Sequence, residues 1–573
     1  MTVTIPLVSQ FYVTLGGSPA PTEFMRDLKS IQVDANLHLP DMFTIELRDP
    51  GFRWIEDALF HIGQEVKVEA RASADERKPA ACLIVGQITS LEVDFPGSGV
   101  PILVIHGYDR SHLLHRSTKV KAFVQSTDSD IASKIARENG LQPEVDSTAH
   151  VHAHIVQDNV SDFDFLKERA RAVGYAFTVE DKKLLFKKPA GLTRPPVALE
   201  YGNSLLEFRP RLTVASQVKD VSVRGFDPKT KSPVVGHASG AEFEVARTGW
   251  GSRGSSADKA FGDAGHKVVT DHPISSQSEG DTIAKALLTE LWNGELQAEG
   301  EAVGNPQIRP GSKLNLSALG TRFSGEYMVT SARHVFDNSG HYVTQFSING
   351  AGTRTVAELV ADAPGGHKGS LGHTVPGVST GIVSNNNDPE GLGRVKVRFP
   401  WLSEDAETGW VPIASPMAGN GRGFYFLPEV NDEVLVAFEH GRIDFPYVIG
   451  ALWNGMDKPP LKAGEAVAAD GAVKKRVIHS TSGHVITLND TPGSESVEIV
   501  DKTGSNKIVI NSAPGKLQVE MTGDVEIKAG KNVKVSGINL SLEGAAKIEL
   551  KAPQIEVQAS GKVKITGPLV ELN

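Results

Sequence analysis

The last hundred residues are built from short strands of two apolar residues around one other residue, and this repeat limits the fold more than any other feature. Successive pairs begin 7 to 11 residues apart, and none of the 6 Trp, 8 Tyr and 23 Phe lies beyond Trp453. A repeat this short cannot bury its own apolar side chains, so the strands must stack into a solenoid or prism with glycine at the corners. A narrow interior of that kind admits Val, Ile and Leu but not rings. The pairs are Val497/Ile499, Ile508/Ile510, Leu517/Val519, Val525/Ile527, Val533/Val535, Leu540/Leu542, Ile548/Leu550, Ile555/Val557 and Val563/Ile565.

Two constructions satisfy the repeat. A single chain can coil with its turns about 4.8 Å apart, or it can climb faster and leave gaps that two further copies fill at the same spacing. Periodicity alone does not choose between them. The single coil leaves broad open edges, whereas three copies share their edges, so edge exposure favours a homotrimer in which these strands lack partners within their own chain.

Composition sets outer limits on the rest of the chain. A length of 573 residues predicts several domains, and 59 Lys and Arg against 69 Asp and Glu, a net charge of -10, argue against nucleic acid as a partner. Cys82 is the only cysteine, which excludes an intrachain disulfide and a multi-cysteine zinc site. We expect no signal peptide and no membrane-spanning segment, because no basic leader and no run of 18 apolar residues occurs.

The pattern along the chain predicts a mainly β fold with a minor α+β part. Strand-like alternation fills the first 125 residues, and helices are predicted near 128–139, 161–173 and 281–298, the first two stopping at glycines. A segment dense in Gly, Pro and Ser marks a domain boundary, and about eighty residues of short strands after it suit a five-stranded barrel. The predicted domains are a hub at 1–360, a linker at 361–377, a barrel at 378–455, a neck linker at 456–478 and the repeat prism at 479–573.

Three motifs carry a family resemblance. Residues 419–450, GNGRGFYFLPEVNDEVLVAFEHGRIDFPYVIG, closely resemble the oligonucleotide-binding-type (OB-fold) barrel of contractile-tail spike proteins, including the VgrG-type family. Residues 157–166, QDNVSDFDFL, followed by Gly174, resemble the hub-domain helix motif of that family. Residues 324–329, SGEYMV, together with His334, Tyr342 and Thr344, resemble the end of the same hub domain. The order of hub, barrel and prism also resembles the family over nearly the whole chain.

The resemblance implies a homotrimeric central spike and hub of a contractile injection system. Each chain would supply two tube-like β-barrels to the hub, one OB-fold barrel to a neck and one strand system to a triangular β-helix that punctures the target membrane. Its implied partners are two further copies, baseplate proteins, an inner tube or tube-initiator protein, cargo effectors and a tip cap of the proline-alanine-alanine-arginine (PAAR) repeat type. Assembly is expected in the bacterial cytoplasm as part of a phage tail-like particle, released or injected extracellularly without a signal peptide.

Several alternatives remain within and beyond this class. The short distance from Trp453 to His479 leaves no room for a hydrolase domain, so we expect no enzymatic activity, no catalytic residues and no cofactor. The compact chain is most similar to the spikes of extracellular contractile injection particles, with a type VI secretion or phage tail spike as the alternative. A carbohydrate-active enzyme on a single-chain β-helix is more remote, because it needs paired carboxylates on a long solenoid face.

The candidate binding site is the end of the prism. Stacked strands would end bluntly there and expose backbone groups and apolar side chains from three chains, an edge that proteins normally cover. We therefore expect a small cap protein to bind at Leu569, Val570, Glu571, Leu572 and Asn573.

Four other features receive structural interpretations. His150, His152 and His154 have metal-ligand spacing on one strand face, but the interpretation adopted is a polar face or loop without metal. Cys82 lies in an apolar strand and is interpreted as a small hydrophobe. Residues 251–256 are rich in Gly and Ser but lack the P-loop Lys and Ser/Thr pair. The aromatic residues Phe424, Tyr425 and Phe426 are predicted to pack in the neck.

Overall fold

The computed structural model describes residues 11–571 except 38, 57–58, 72–79, 98, 193, 215–216, 228–229, 250–264, 271, 275, 349–374, 376 and 403–406. It is mainly β, as the sequence predicts. The chain divides into two compact units, Met1–Asp457 and Lys458–Asn573. Most of the predicted linker at 361–377 and the whole of the Gly/Ser-rich stretch at 251–256 lie outside the described residues.

An eleven-stranded antiparallel sheet, here called the large sheet, organises the first unit. It joins the beginning of the chain to residues three hundred positions later, because Ser331–Asp337 pairs with Leu28–Asn36 in the register His334 opposite Val33. In spatial order its strands are Leu205–Leu212, Leu296–Val303, Tyr342–Ile348, Ser331–Asp337, Leu28–Asn36, Met42–Arg48, Ile102–Asp109, Ala81–Asp94, Glu65–Ala70, Phe11–Leu15 and Ser18–Pro19. The pairing among these described strands is open at both edges, so the tube-like barrels implied by the family resemblance stay a prediction.

Two apolar cores pack against the large sheet, one on each half of its strands. Phe24, Phe43 and Trp54 are fully buried in the core of the first half, where alternate residues of each strand point inward. Tyr327 and Phe346 belong to the core of the second half. Strand alternation supplies much of each core, and the helical turns Thr22–Asp27 and Arg53–Glu56 and the strand Gly325–Met328 of a smaller sheet complete them with Phe24, Trp54 and Tyr327.

Smaller sheets surround the large one. They are Thr118–Thr127 with Val151–Ser161; Gln142–Val145 with Ala176–Glu180 and Lys183–Lys187; Val197–Glu200 with Ala246–Thr248, Lys313–Ser317 and Gly325–Met328; and Asp220–Asp227 with Ser232–Ala238 and His266–Val269. The barrel segment has a four-stranded sheet of Lys396–Arg398, Val378–Asn385, Glu433–Phe438 and Pro446–Ala451, and a two-stranded one of Ala418–Gly419 and Arg422–Gly423. Its core includes Val383, Val397 and Val434.

Three longer helices occur near the predicted positions. Asp128–Glu138 begins with a capping box, in which Thr127 and Asp130 satisfy each other's backbone N–H groups. Asp162–Val173 begins at Ser161, whose hydroxyl accepts from the Asp164 N–H at 3.0 Å, and ends at Gly174 in the left-handed conformation. The short helical turns are Thr22–Asp27, Arg53–Glu56, His112–His115, Pro189–Gly191, Gly320–Phe323, Glu439–Gly441 and Ala463–Ala466.

The third helix begins earlier and ends earlier than 281–298. It runs over Gln277–Asn293, because the extended residue Ser276 already accepts a hydrogen bond from the Glu279 N–H at 3.2 Å. Beyond Gly294 the chain enters the strand Leu296–Val303. No described helix has the length and apolar content that crossing a membrane requires.

The second unit contains two different arrangements of one repeat. The strands Lys475–His479, Val485–Asn489, Ser496–Val500, Lys507–Asn511 and Lys516–Glu520 form an antiparallel meander, each paired with the next. The expectation that these strands lack partners within one chain is therefore wrong for the first three apolar pairs. Each of the four returns between these strands contains one glycine with positive φ, in chain order Gly483, Gly493, Gly504 and Gly515. In residues 521–571 the structure contains no assigned strand, and every one of these residues is exposed.

Candidate functional site: the apolar repeat, its tip and the hub–barrel joint

The predicted tip residues are solvent-exposed. Leu569 has 75% of its surface exposed and Val570 46%, and Glu571 is also exposed. Leu572 and Asn573 lie outside the described residues. The same exposure extends through the preceding repeat, where the apolar residues of the pairs from Val525/Ile527 onward all lie on the surface of the single chain.

Phe424, Tyr425 and Phe426 form an aromatic surface on the barrel. All three are exposed, and the rings of Phe424 and Phe426 lie 6.4 Å apart in a stacked orientation. Neck packing is not tested in a single chain, so the neck role predicted for these three residues stays a prediction. Large exposed rings of this kind mark surfaces that proteins use for association.

The barrel segment is joined to the hub segment by polar contacts. His154 Nε2 donates to the carbonyl oxygen of Glu407 at 2.7 Å, and the Val156 N–H donates to Asp444 Oδ1 at 2.8 Å. Arg442 Nη1 lies 3.6 Å from Glu168 Oε1 on the helix Asp162–Val173. We call this set of contacts the hub–barrel joint. It couples residues that are more than 250 positions apart, which no local sequence pattern could reveal.

A buried ion pair lies beside the joint. Arg169 Nε donates to Asp128 Oδ1 at 2.6 Å, and both side chains are almost fully buried. Burial opposes ionisation of Asp128, but the charge of Arg169 and hydrogen bonds from His152 and Arg169 hold its pKa well below its usual range. The pKa of Arg169 is correspondingly raised by Asp128 despite its burial. The two charges stabilise each other in a site where either alone would be costly.

The three histidines of the sequence motif separate in the structure. His154 lies in the hub–barrel joint, where burial lowers its pKa although Asp444 and Glu407 oppose the shift. His150 and His152 stay together, with ring centroids 4.6 Å apart in an edge-on arrangement. Burial also lowers the pKa of His150. The structure adds Glu279 to this pair, a residue from the third long helix that sequence reasoning did not connect with the histidines.

His272 lies near the joint, and its buried Nδ1 has no hydrogen-bond partner among the residues that the structure describes. Burial, with Arg442 and Arg169 acting in the same direction, lowers the pKa of His272 to about 3. The neutral ring is therefore favoured over a wide pH range.

The hub motif residues that carry the family resemblance meet inside the large sheet. His334 Nδ1 lies 2.8 Å from Tyr342 Oη and 3.2 Å from Thr344 Oγ1, and all three are buried. Burial lowers the pKa of His334 to about 3. These residues form a satisfied polar cluster in the core and have a structural role.

Cys82 and the pair of Asp41 and Asp109 are further shielded side chains of reactive type in the first unit. Cys82 is partly buried, and burial raises the pKa of its thiol, which fits the interpretation as a small hydrophobe rather than a nucleophile. Asp41 and Asp109 are buried, and burial raises the pKa of Asp109 to about 7 although Ser111 opposes the shift with two hydrogen bonds.

A groove of about 740 Å³ crosses the large sheet, lined by charged pairs such as Asp34 with Arg333 and Glu207 with Arg209.

Two family models match this chain, one over most of the hub segment and one over the barrel segment. The model of the Alg8 N-terminal domain matches residues 11–338, and that of the type VI secretion system/phage-baseplate injector OB domain matches residues 379–453. The actin cross-linking toxin VgrG1 of Vibrio cholerae is 23% identical over 69% of this chain and 37% of its own length. The spike protein VgrG3 of the same species is 29% identical over 19% of this chain and 11% of its own. The chain thus spans well under two thirds of these relatives.

A solved structure, the lidded Francisella PdpA-VgrG complex, shares the fold. It matches 90% of this chain and 81% of its own chain with a TM-score of 0.54 at 10% identity. The mainly β hub segment, the OB domain and the spike relatives together define a VgrG-type spike protein of contractile injection machines. By the family model that matches residues 11–338, more than half of its length, the chain belongs to the Alg8 N-terminal domain family.

Proposed function

We propose that this chain forms the homotrimeric central spike and hub that joins the baseplate and inner tube of a contractile injection system to its membrane-puncturing tip. The observation that carries the proposal is the surface of residues 521–571, where a regular apolar repeat is exposed in the single chain. Ile527, for example, has 77% of its surface exposed. Soluble proteins rarely leave such a continuous apolar surface uncovered.

Two further copies are the occupants that fit this surface. The repeat recurs in every copy with the same spacing, so three chains can interleave and pair their backbones at about 4.8 Å. Closed threefold symmetry would bury the Val, Ile and Leu of each pair in one narrow interior and leave the middle residues, many of them Lys and Glu, outside. At roughly 25 cal/mol per Å² of apolar surface, burial along fifty residues from three chains is a large association energy.

The remaining segments are assigned by the same proposal. Residues 1–360 serve as the hub against the inner tube or tube-initiator and baseplate proteins, residues 378–455 as the OB-fold neck, and residues 479–573 as the spike, with linkers at 361–377 and 456–478. The proposal contains no catalytic step, and cargo effectors are carried rather than processed. Relatives named as type VI secretion spike proteins support this assignment.

The tip is proposed to bind a small PAAR-type cap through Leu569, Val570, Glu571, Leu572 and Asn573. A variant with Leu569→Asp and Val570→Asp should lose the cap in a pull-down while the trimer persists. The matched control is Lys564→Asp, which changes a middle position of the preceding strand pair. Retention of the cap by the double variant at wild-type affinity would remove this site from the proposal.

The experiment that tests the function is affinity capture of the tagged chain from the cleared medium and from the cells of a producing bacterium. An affinity tag at the first residue should pull sheath and inner-tube subunits out of cleared medium with the chain, because assembly in the cytoplasm is followed by release of a phage tail-like particle. Recovery of the same subunits only from intact cells would favour the type VI alternative. If the tagged chain carries neither sheath nor tube subunits from either fraction, the proposed function is wrong.

A further inference from the structure

Three potential metal-binding side chains meet where the strand Val151–Ser161 begins beside the helix Gln277–Asn293. His150, His152 and Glu279 each place one donor atom within 4.8 Å of the other two. His150 Nε2 lies 3.7 Å from Glu279 Oε2, and the two imidazole rings are edge-on at 4.6 Å. All three side chains are largely shielded from solvent, with exposed fractions of 17%, 9% and 13%.

Asp128 orients the second histidine. Its Oδ2 lies 3.2 Å from His152 Nε2, and its Oδ1 accepts the Nε–H of Arg169 at 2.6 Å. Arg169 Nη2, which can only donate, also lies 3.1 Å from His152 Nε2, but the carboxylate oxygen is the stronger acceptor for an imidazole N–H. A proton on Nε2 leaves Nδ1 of His152 with its lone pair. A carboxylate behind a histidine is the usual support of a metal-ligating imidazole.

The local charges permit a cation despite the nearby arginine. Arg169 is neutralised by Asp128 in a buried ion pair, and Glu279 brings a second carboxylate to the group. Two imidazoles and one carboxylate suit zinc and related divalent transition metals better than magnesium or calcium, which prefer oxygen donors. Zinc ligands at about 2.1 Å place tetrahedral donors about 3.4 Å apart, so the present donors need only a modest side-chain movement to close on an ion.

We propose that His150, His152 and Glu279 form a site for one divalent transition-metal cation, with Zn²⁺ as its preferred ion. The fourth position is left to water. The ion would bind the start of a hub strand to the first turn of a helix from a later part of the chain. It therefore acts as a structural clamp on the hub segment, beside the joint that holds the barrel.

The test uses tag-free full-length protein stripped with EDTA and titrated with Zn²⁺ alone in a calorimeter. One ion per chain is expected to bind, and to raise the temperature of the unfolding transition seen by tryptophan fluorescence. Titration with Co²⁺ alone should produce visible absorption bands of a low-coordinate nitrogen and oxygen site. Absence of binding by the wild-type chain would overturn the proposal.

Three variants locate the ion. His150→Ala and Glu279→Gln should each weaken Zn²⁺ binding by at least about tenfold, since each removes a ligand. His341→Ala is the matched control, because His341 forms an exposed pair with Asp337 at 3.8 Å elsewhere in the hub segment and should leave binding unchanged. If His150→Ala misfolds by circular dichroism, Glu279→Gln decides. Wild-type affinity in Glu279→Gln would place the ion elsewhere and contradict the site.

Discussion

The same apolar residue types have opposite surroundings in the two units of this molecule. In the first unit Ile31 and Val33 are fully buried between paired strands of the large sheet. In the second unit Ile527 and Val557 are exposed over about three quarters of their surface, on a stretch with no assigned strand. The first unit therefore completes its core from one chain, whereas the second leaves its apolar repeat exposed, as the proposed trimer requires.

A narrower contrast lies inside the second unit. Up to Glu520 the strands return on themselves through glycines with positive φ, and each strand pairs with the next. Beyond Glu520 the described glycines do not adopt that conformation, and the described residues 521–571 contain no assigned strand. One repeat thus gives a self-paired sheet or an unpaired segment depending on whether its turns reverse the chain.

The largest expected effect is on assembly. The full chain should be a trimer of about three times its mass of 61.3 kDa, and removal of residues 521–573 should give a dissociated or much weaker assembly, because interleaved ladders break together. Light scattering at micromolar concentration measures both. An equally heat-resistant trimer after the truncation would show that this segment is not the main clamp.

Point substitutions sharpen the same test. Ile527→Ser with Leu550→Ser should weaken the trimer, since these positions belong to the apolar pairs. Glu526→Ser with Glu549→Ser changes the middle positions of the same two pairs and is the matched control. If both double variants dissociate equally, the apolar positions do not form the interior.

The next effect compares one isoleucine from each unit: Ile31, which is fully buried, and Ile555 of the apolar pairs, which is exposed in the single chain. Ile31→Ala should reduce the free energy of unfolding of the first unit by about 2–5 kcal/mol, the usual range for a fully buried aliphatic residue. Ile555→Ala should destabilise the trimer by a similar amount if three chains bury that side chain. The tryptophans all lie in the first unit, so their fluorescence reports the first change, and concentration-dependent denaturation reports the second. A cost for Ile555→Ala below about 0.5 kcal/mol is typical of a surface residue and would contradict its burial in the trimer.

Local signals in the sequence were sufficient for much of the secondary structure. Thr127 and Ser161 cap the first two long helices because their side chains reach backbone groups only three residues away. The third helix starts earlier than predicted because Ser276 captures the Glu279 N–H ahead of the apolar stripe. The meander up to Glu520 was missed because its strands have the same pattern of two apolar residues around one other residue as the unpaired segment. Its longer spacing, 11 and 9 residues between pairs instead of 7 or 8, was the signal that chain-reversing turns lie between its strands.

Contacts between distant residues could not be predicted. The hub–barrel joint links His154 to Glu407 and Val156 to Asp444. Glu279 reaches the histidine pair from a helix in another part of the chain, and the strand-face argument instead grouped His154 with that pair. Such pairs depend on how finished elements pack, and a single sequence carries no periodic signal for that packing.

A smaller effect concerns pH and is confined to the first unit. The pKa of His272 is about 3 in the fold, below its ordinary value of 6.5, so the unfolded chain gains a proton first as the pH falls. This contribution to stability is complete above pH 6.5 and is lost progressively between pH 6.5 and 3. His272→Leu should therefore reduce the stability lost between pH 7 and 4 by about 2–3 kcal/mol, at about 1.4 kcal/mol per pKa unit.

Unfolding by tryptophan fluorescence at the two pH values measures this difference. The other buried groups of the first unit, including His334 and Asp109, are common to both proteins and cancel in the comparison. His484→Leu, at an exposed position of the second unit, is the control and should leave the difference unchanged. An unaltered pH dependence in His272→Leu would mean that burial does not keep the His272 ring neutral in the fold.

The smallest expected effect is the stability cost of breaking a lysine and glutamate ion pair, compared between one pair from each unit. Lys313 and Glu326 lie 2.9 Å apart on the first unit, and Lys507 and Glu520 lie 2.8 Å apart and directly opposite each other in the meander. All four side chains are at least one third exposed in the single chain, so Lys313→Ala and Lys507→Ala should each cost less than about 1 kcal/mol in denaturant unfolding. Equal costs mean that the meander keeps this face in solvent after assembly. A clearly larger cost for Lys507→Ala than for Lys313→Ala would mean that another chain covers the pair, which would extend the association surface back from residue 521 into the self-paired sheet.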